Sequence, residues 1–330
     1  MMRRFSLTAI LSAALLLTAA VHAQSQSLDS DKDGLSDNLE QSLLTRFAPT
    51  FMVGKQECSN IPAQFQPNEA IPHVIAEDGT IYGQATPALT ASSTARTIEL
   101  HYYHLWKTDC GPHGHPLDAE HVSVLIDSTS PDPTEWKALY WYSAAHENTV
   151  CDVSQITRAA TLHAEDHGAT VWISPGKHAS FLNQELCARG CGADRCEAMQ
   201  PLVINQIINL GELAHPMNGA IWSSSPQWPL AAKLSRSDFP SAPIARLETL
   251  PPTDIAWFSP GRHPAQGVIA ISGSTAEAIG SSGDDTVSAI SLAGDSTGNA
   301  LQKSYRKTIH ALGSSAQHVG DALHVTPKPE

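Results

Sequence analysis

Apolar positions along the chain change their period several times, and each change marks an element. Leu39, Leu43, Leu44 and Phe47 fall at helical spacing, and Pro49 ends the run because its ring cannot continue an i→i−4 ladder. From Thr50 to Ala95 proline and glycine are frequent and periodicity is poor, which predicts loops joined by short strands. Further on the period drops to two. Ile98, Leu100 and Tyr102 alternate with polar residues, as do Val122, Val124 and Ile126. Leu139–Tyr142 is aromatic, and Val171-Trp172-Ile173 is a short β-branched run. Turn clusters at Ser130-Pro131-Asp132-Pro133 and Ser174-Pro175-Gly176 separate these segments. The pattern predicts a mainly β fold: an antiparallel β-sandwich with peripheral helices, long loops and disulfides, rather than a βαβ sheet.

The ends read differently. Arg3 and Arg4 precede an apolar run from Leu7 to Ala20, and Val21-His22-Ala23 offers the small residues of a cleavage site. That is the layout of a signal peptide, too short in its apolar part for a spanning helix. Ser272–Asn299 is a Gly/Ser/Ala-rich linker. Beyond it Leu301, Tyr305, Ile309, Leu312, Ala316, Val319 and Leu323 form a helical stripe, weakened by Gly313 and Gly320. The expected division is a leader at 1–23, a loop and helix at 24–48, a β-sandwich at 49–260 and a C-terminal segment at 261–330.

Charge and cysteine content narrow the setting. With 20 Lys+Arg against 33 Asp+Glu, the formal charge of −13 opposes a nucleic-acid binder, which needs a basic face. No transmembrane anchor is expected. Export makes the six cysteines candidates for three disulfides, whose connectivity the sequence leaves open. The spacing Cys187-x3-Cys191-x4-Cys196 fits no standard zinc knuckle. A secreted or periplasmic protein is expected.

The strongest motif lies near the start. Asp29-Ser30-Asp31-Lys32-Asp33-Gly34-Leu35-Ser36-Asp37-Asn38-Leu39-Glu40 puts acids at positions 1, 3, 5, 9 and 12, with a glycine at position 6. Calcium takes six to eight oxygens, and this spacing is that of an EF-hand loop. Asp29, Asp31, Asp33, the Leu35 carbonyl, Asp37 and a bidentate Glu40 are the expected ligands of Ca2+. No helix leads into the loop, so it resembles the lone loops of dockerins and thrombospondin type 3 repeats. The bland alternative is a solvated acidic stretch serving as a helix N-terminus.

A second constellation is rich in histidine: nine of the 16 lie between His101 and His178. Within it, Asp118 and Glu120 sit two apart on an expected strand and so share a face, while His121 points the other way. With His115 on the approaching loop they are candidates for a second divalent cation (Mg2+, Ca2+ or Zn2+). A hydrogen-bonded polar network is the alternative.

Gly114-His115-Pro116-Leu117-Asp118-Ala119-Glu120 resembles the G-H-R-H-D-W-E heptad of the necrosis- and ethylene-inducing-like cytolysins. Tyr142-Ser143-Ala144-Ala145-His146 is similar to their later strand-and-histidine segment. The Asp118-x-Glu120-His121-Val122 pattern and Ser174–Phe181 resemble the vacuolar protein sorting-associated proteins of plants and fungi. The resemblance spans roughly residues 95–185. It implies a β-sandwich and a metal held by His115, Asp118 and Glu120, with Asp109 an approximate fourth ligand. Leu117 and Ala119 depart from the cytolysin heptad where its second histidine and tryptophan stand.

Three functions remain open. One is a secreted, metal-stabilised protein that binds a glycan or a lipid head group. The second is a metal-dependent hydrolase of phosphoesters or glycans, with His121, His146 and His178 as acid–base candidates. The third is a structural envelope or surface protein. No G-x-S-x-G elbow is present, and His146-Glu147 has no second histidine at position 150 to complete a zincin motif.

Overall fold

The computed structural model describes residues 28–55, 58–88, 96–111, 114–149, 152–189, 196–219, 233–234 and 236–260. The expected leader, the C-terminal linker and the C-terminal helix lie outside the described residues, as do Cys151 and Cys191.

Helix α1 (Asp37–Arg46) opens the described chain. Ser36 caps it, its hydroxyl accepting from the Leu39 N–H, and Leu43, Leu44 and Phe47 bury one stripe completely. Strands β1 (Thr50–Gly54), β2 (Ala63–Phe65), β3 (Val74–Glu77) and β4 (Ile81–Pro87) follow. Next come the two longest, β5 (Arg96–Thr108) and β6 (Pro116–Ser128). After them the chain runs through β7 (Lys137–Ser143), β8 (Gln155–Arg158), β9 (Thr170–Ile173), β10 (Ser180–Phe181) and α2 (Gln184–Arg189). β11 (Met199–Pro201), β12 (Ile207–Asn209), β13 (Gly211–Glu212), β14 (His215–Pro216), α3 (Ser241–Glu248) and β15 (Ile255–Trp257) complete the described elements. Among the described residues no helix is long and apolar enough to cross a membrane.

The strands form a seven-stranded sheet, β12-β4-β5-β6-β7-β8-β15, and a four-stranded sheet, β10-β9-β1-β11. Two small ribbons, β2-β3 and β13-β14, stand beside them. The mainly β architecture agrees with the expected sandwich, with one refinement of strand direction. β12 runs parallel to β4, and β1 parallel to β9, because long connections rather than hairpins join these pairs.

The large sheet is covered on both faces, and this organises the core. On the even-numbered face of β5, the Tyr102 hydroxyl donates to the Leu44 carbonyl (3.0 Å). The His104 ring meets Phe51 edge-on there, with centroids 5.3 Å apart. That face therefore meets α1 and the smaller sheet. On the odd-numbered face, Tyr103 and Leu105 pack with Ala63, Phe65 and Leu210. Further along, Leu125 and Tyr142 pack with Phe239 and Leu247. Residues 97–106 of β5 are consequently buried without alternation.

Cys58–Cys110 and Cys187–Cys196 form disulfides. The first ties the segment before β2 to the end of β5. The second closes α2 onto the segment leading into β11.

Candidate metal centre

The acidic loop turns sharply at its glycine. Gly34 takes φ +92°, a left-handed conformation that glycine adopts without steric cost. Asp29 accepts from the Lys32 N–H (2.7 Å) and the Gly34 N–H (3.2 Å), and Asp33 Oδ1 accepts from the Leu35 N–H (2.7 Å). These bonds curl the chain so that Asp29, Asp31 and Asp33 each bring one carboxylate oxygen within 4.8 Å of the others. Among the described residues this is the one group of three His, Cys, Asp or Glu side chains so arranged.

Its electrostatics are uncompensated. Asp31 is 1% exposed and Glu40 0%. No donor reaches either oxygen of Asp31, Oδ2 of Asp33 or Oε1 of Glu40. Burial first, and then repulsion from nearby carboxylates, Asp33 and Asp29 acting on Asp31 and Glu212 and Asp29 on Asp33, pushes Asp31 and Asp33 up to about 6. Glu40 is pushed up to about 8 by burial and by the charges of Asp31 and Asp33. Buried carboxylates ordinarily find donors or cations. Orphaned oxygens on Asp31 and Asp33 lie within the Asp29–Asp31–Asp33 group, Glu40 standing outside it; they are hard donors of the kind a divalent cation takes, so the residues present fit calcium.

Two of the expected ligands behave differently from the others. Both oxygens of Asp37 are taken by Ser30, one accepting from its N–H and one from its hydroxyl, each at 2.7 Å. Asp37 thus braces the loop at the first turn of α1. Leu35 buries its side chain and commits its N–H to Asp33.

The far wall of the centre comes from a segment the sequence pattern did not single out. Asn209, 1% exposed, donates from Nδ2 to Glu40 Oε2 (3.2 Å). Glu212 accepts from the Thr86 hydroxyl (2.9 Å), and its charge adds to the repulsion on Asp33. Asn209 and Glu212 lie in short, aperiodic segments, so only their proximity in the fold marks them.

The central cluster is arranged otherwise. Asp118 and Glu120 do share a face of β6, opposite Trp106 and His104 of β5, as their spacing implied. Asp118 Oδ2 pairs with His178 Nδ1 at 3.0 Å. Glu120 pairs with Lys233 Nζ at 3.0 Å, although burial outweighs the lysine and pushes the carboxyl up to about 7. Asp109 pairs with Lys177 Nζ at 2.5 Å and lies 3.4 Å from His115 Nε2. His115 is 57% exposed at its side chain, and its Nδ1 lies 2.8 Å from the Leu117 carbonyl. Asp109 and Glu120 thus each face a lysine and Asp118 faces His178, and among the described residues the structure does not bring His115, Asp118 and Glu120 together as one ligand group.

The acid–base candidates are placed as follows. His178 is wholly buried, with φ +52°, stacked on Trp106 at 4.0 Å, and its Nε2 lies 3.0 Å from the Ser59 carbonyl. His121 is also wholly buried, and burial lowers its basicity. Its Nε2 lies 3.0 Å from Asp238 Oδ2 and 2.8 Å from an Arg236 nitrogen. His146 sits in a turn at φ +52°, where its carbonyl accepts from Thr149. Neither His121 nor His178 reaches solvent.

A serine beside a histidine also occurs, but the tautomer is wrong for nucleophile activation. Trp106 Nε1 can only donate, and it donates to His104 Nδ1 (2.8 Å). The proton of neutral His104 is then on Nε2, directed at Ser180 Oγ (2.9 Å). His104 donates to the hydroxyl and takes no proton from it.

Around His121 lies a network that sequence reasoning missed. Asp238 accepts from the Ser123 hydroxyl (2.7 Å), lies 3.3 Å from His101 Nδ1 and pairs with Arg236 (3.0 Å). Arg236 also pairs with Glu147 (2.8 Å). Glu99 accepts from the Asp238 N–H (3.0 Å) and the Ser237 hydroxyl (2.5 Å). The network locks residues 236–239 across the odd-numbered face of the large sheet.

No family model matches the chain, and no curated protein does. Among solved structures it is similar to NLPPya in complex with mannosamine, at 14% identity and TM-score 0.30, covering 64% of this chain and 89% of that one. A second is the non-toxic HaNLP3 protein, at 16% identity and TM-score 0.30, covering 65% and 87%. A third is Necrosis and Ethylene inducing Protein 2 from the causal agent of cocoa's Witches Broom disease, at 15% identity and TM-score 0.32, covering 63% and 96%. The sorting-associated and dockerin resemblances rest on their sequence motifs alone.

Proposed function

We propose that this is an exported, calcium-binding β-protein that recognises a glycan and does not turn it over. The observation that carries the calcium reading is the set of orphaned, buried carboxylate oxygens on Asp31, Asp33 and Glu40. Calcium would be held by Asp29, Asp31, Asp33 and Glu40, with the Leu35 carbonyl completing the loop and Asp37 bracing it. The cation supplies charge compensation and fixes the loop; it carries no reaction step. One cation is proposed, because Lys177, His178 and Lys233 already face the central carboxylates.

The ligand class follows from a surface groove of about 430 Å³. Asn60, Asp78 and Gln200 line it together with Ile61, Leu202 and Val203. Planar amides and a carboxylate over aliphatic walls suit sugar hydroxyls and ring C–H groups better than a charged or fully apolar ligand. Binding is favoured over hydrolysis because His121 and His178 have no access to solvent. The apolar leader and the disulfides support export.

The test is elemental analysis of the purified chain, with glycan-panel binding measured before and after chelation. One calcium per chain, lost in Asp31→Asn, together with glycan binding weakened by Gln200→Ala, is the expected result. Absence of calcium from wild-type protein refutes the cation reading, and unchanged glycan binding in Gln200→Ala refutes the groove.

A further inference from the structure

The calcium loop does not stand alone against the sheet. Its buried side rests on a ribbon about 170 residues away in sequence, and Asn209 is the joint. Asn209 Nδ2 donates to Glu40 Oε2 (3.2 Å), and its Oδ1 accepts from the Gly211 N–H (3.1 Å). Its main-chain carbonyl accepts from Asn218 Nδ2 (2.6 Å). One buried asparagine therefore ties the last expected ligand of the loop to the start of the β13–β14 ribbon and to the residue that follows it closely. With Oε2 of Glu40 held, the other oxygen, Oε1, remains orphaned.

Gly211 makes the second contact. It takes φ +65°, and a Cβ there would lie 3.0 Å from both Cβ and Oδ2 of Asp31. The ribbon backbone is thus pressed against the buried carboxylate of Asp31. Glu212, the next residue, adds a negative charge to the same neighbourhood. Without a cation, carboxylates from two distant segments repel across this contact. With one, the same carboxylates draw together.

Resting on the calcium reading above, we propose that Asn209 is a positioning residue of the calcium site and that the cation clamps the β13–β14 ribbon and its flanks, residues 210–219, to the N-terminal loop. The order of that ribbon is then calcium-dependent, while β5 and β6 are not. Ligand-orienting partners of this kind typically contribute ten- to a hundredfold to metal affinity.

The experiment uses the full chain. Hydrogen exchange with mass readout is compared in excess calcium and in chelator, and calcium affinity is measured by calorimetry for wild type, Asn209→Ala and the milder Asn209→Ser. Amides of 210–219 are expected to exchange at least roughly tenfold faster in chelator, with those of β5 and β6 unchanged. Asn209→Ala is expected to weaken calcium binding roughly tenfold and to lower the melting temperature more in calcium than in chelator, where only its own hydrogen bonds, such as that to Gly211, are lost. A variant destabilised equally with and without calcium would show a merely structural asparagine and overturn the proposal. If wild type binds calcium but ribbon exchange and variant affinity do not move, the clamp is refuted and the calcium reading stands. If wild type binds no calcium, both fall.

Discussion

His101 holds a proton that an ordinary buried histidine would release. Burial works against its charge, but the Asp238 and Glu99 carboxylates, 3.3 and 3.5 Å from its ring nitrogens, outweigh burial and push it up to about 9. The folded value lies above the unfolded 6.5, so the stability this proton contributes is fully present below pH 6.5. It is lost as pH rises to 9. Asp238 has the opposite sign: burial opposes its charge, His121 and His101 overcome that, and its carboxyl is held well below the usual range. Its contribution is present above about pH 4 and lost only in strong acid. The melting temperature is therefore expected to fall between pH 6.5 and 9.5, by the equivalent of about 2–3 kcal/mol. Scanning calorimetry across that range checks it; a His101→Gln variant should have a flatter profile, and an equal slope in both would contradict the assignment. These residues were hard to read for a physical reason. Glu99, His101, His121 and Ser123 occupy the polar half of alternating strands, which ordinarily marks a solvent face. Here both faces are covered, so the polar half forms an internal network.

At the scale of elements, local pattern and tertiary contact divide the explanation. The α1 stripe was legible because Leu43, Leu44 and Phe47 repeat at the helical period and all three are fully buried. The Ile98–Leu100–Tyr102 and Val122–Val124–Ile126 alternations located β5 and β6, whose registers pair Tyr102 with Val122 and Leu100 with Val124. Short strands such as β10 and β13, with two residues each, carry no period of their own. The start of β9 shows how tightly such elements are set. Thr50 N–H donates to the Ala169 carbonyl (2.9 Å), and a Cβ on Gly168 would overlap the Ala48 carbonyl and Pro49 nitrogen. Both obstacles are backbone, so neither can rotate away. Gly168→Ala is expected to destabilise by about 3 kcal/mol, measured as a lowered urea midpoint; a wild-type midpoint would mean that the connector yields.

Across the whole molecule, covalent and ionic ties join segments that the strands alone do not pair. Cys58–Cys110 closes 52 residues of sequence and fixes the segment before β2 to the end of β5, close to Gly176 and Lys177. Cys110 and Gly111 both donate to the Gly176 carbonyl (3.0 and 3.1 Å). Replacing both cysteines with serine is expected to cost about 2–4 kcal/mol. Thermal melts of wild type and the double variant would show it, and a melting temperature within error of wild type would assign that corner's rigidity to these hydrogen bonds alone.

The sequence by itself determined the mainly β class, the first helix, the even cysteine count and the acidic loop with glycine at its sixth position. Each depends on neighbours within a dozen residues, where local period and turn chemistry act directly. Only the tertiary structure decided which carboxylates stay uncompensated. Asp31 and Oε1 of Glu40 are buried without donors, whereas Asp109, Asp118 and Glu120 meet Lys177, His178 and Lys233. Both groups read as metal candidates in sequence, because residue type and spacing report what a side chain can offer. What it meets depends on residues 60 to 170 positions away, and in a low-dielectric interior that partner sets whether a carboxylate is neutralised by the chain or left to a cation.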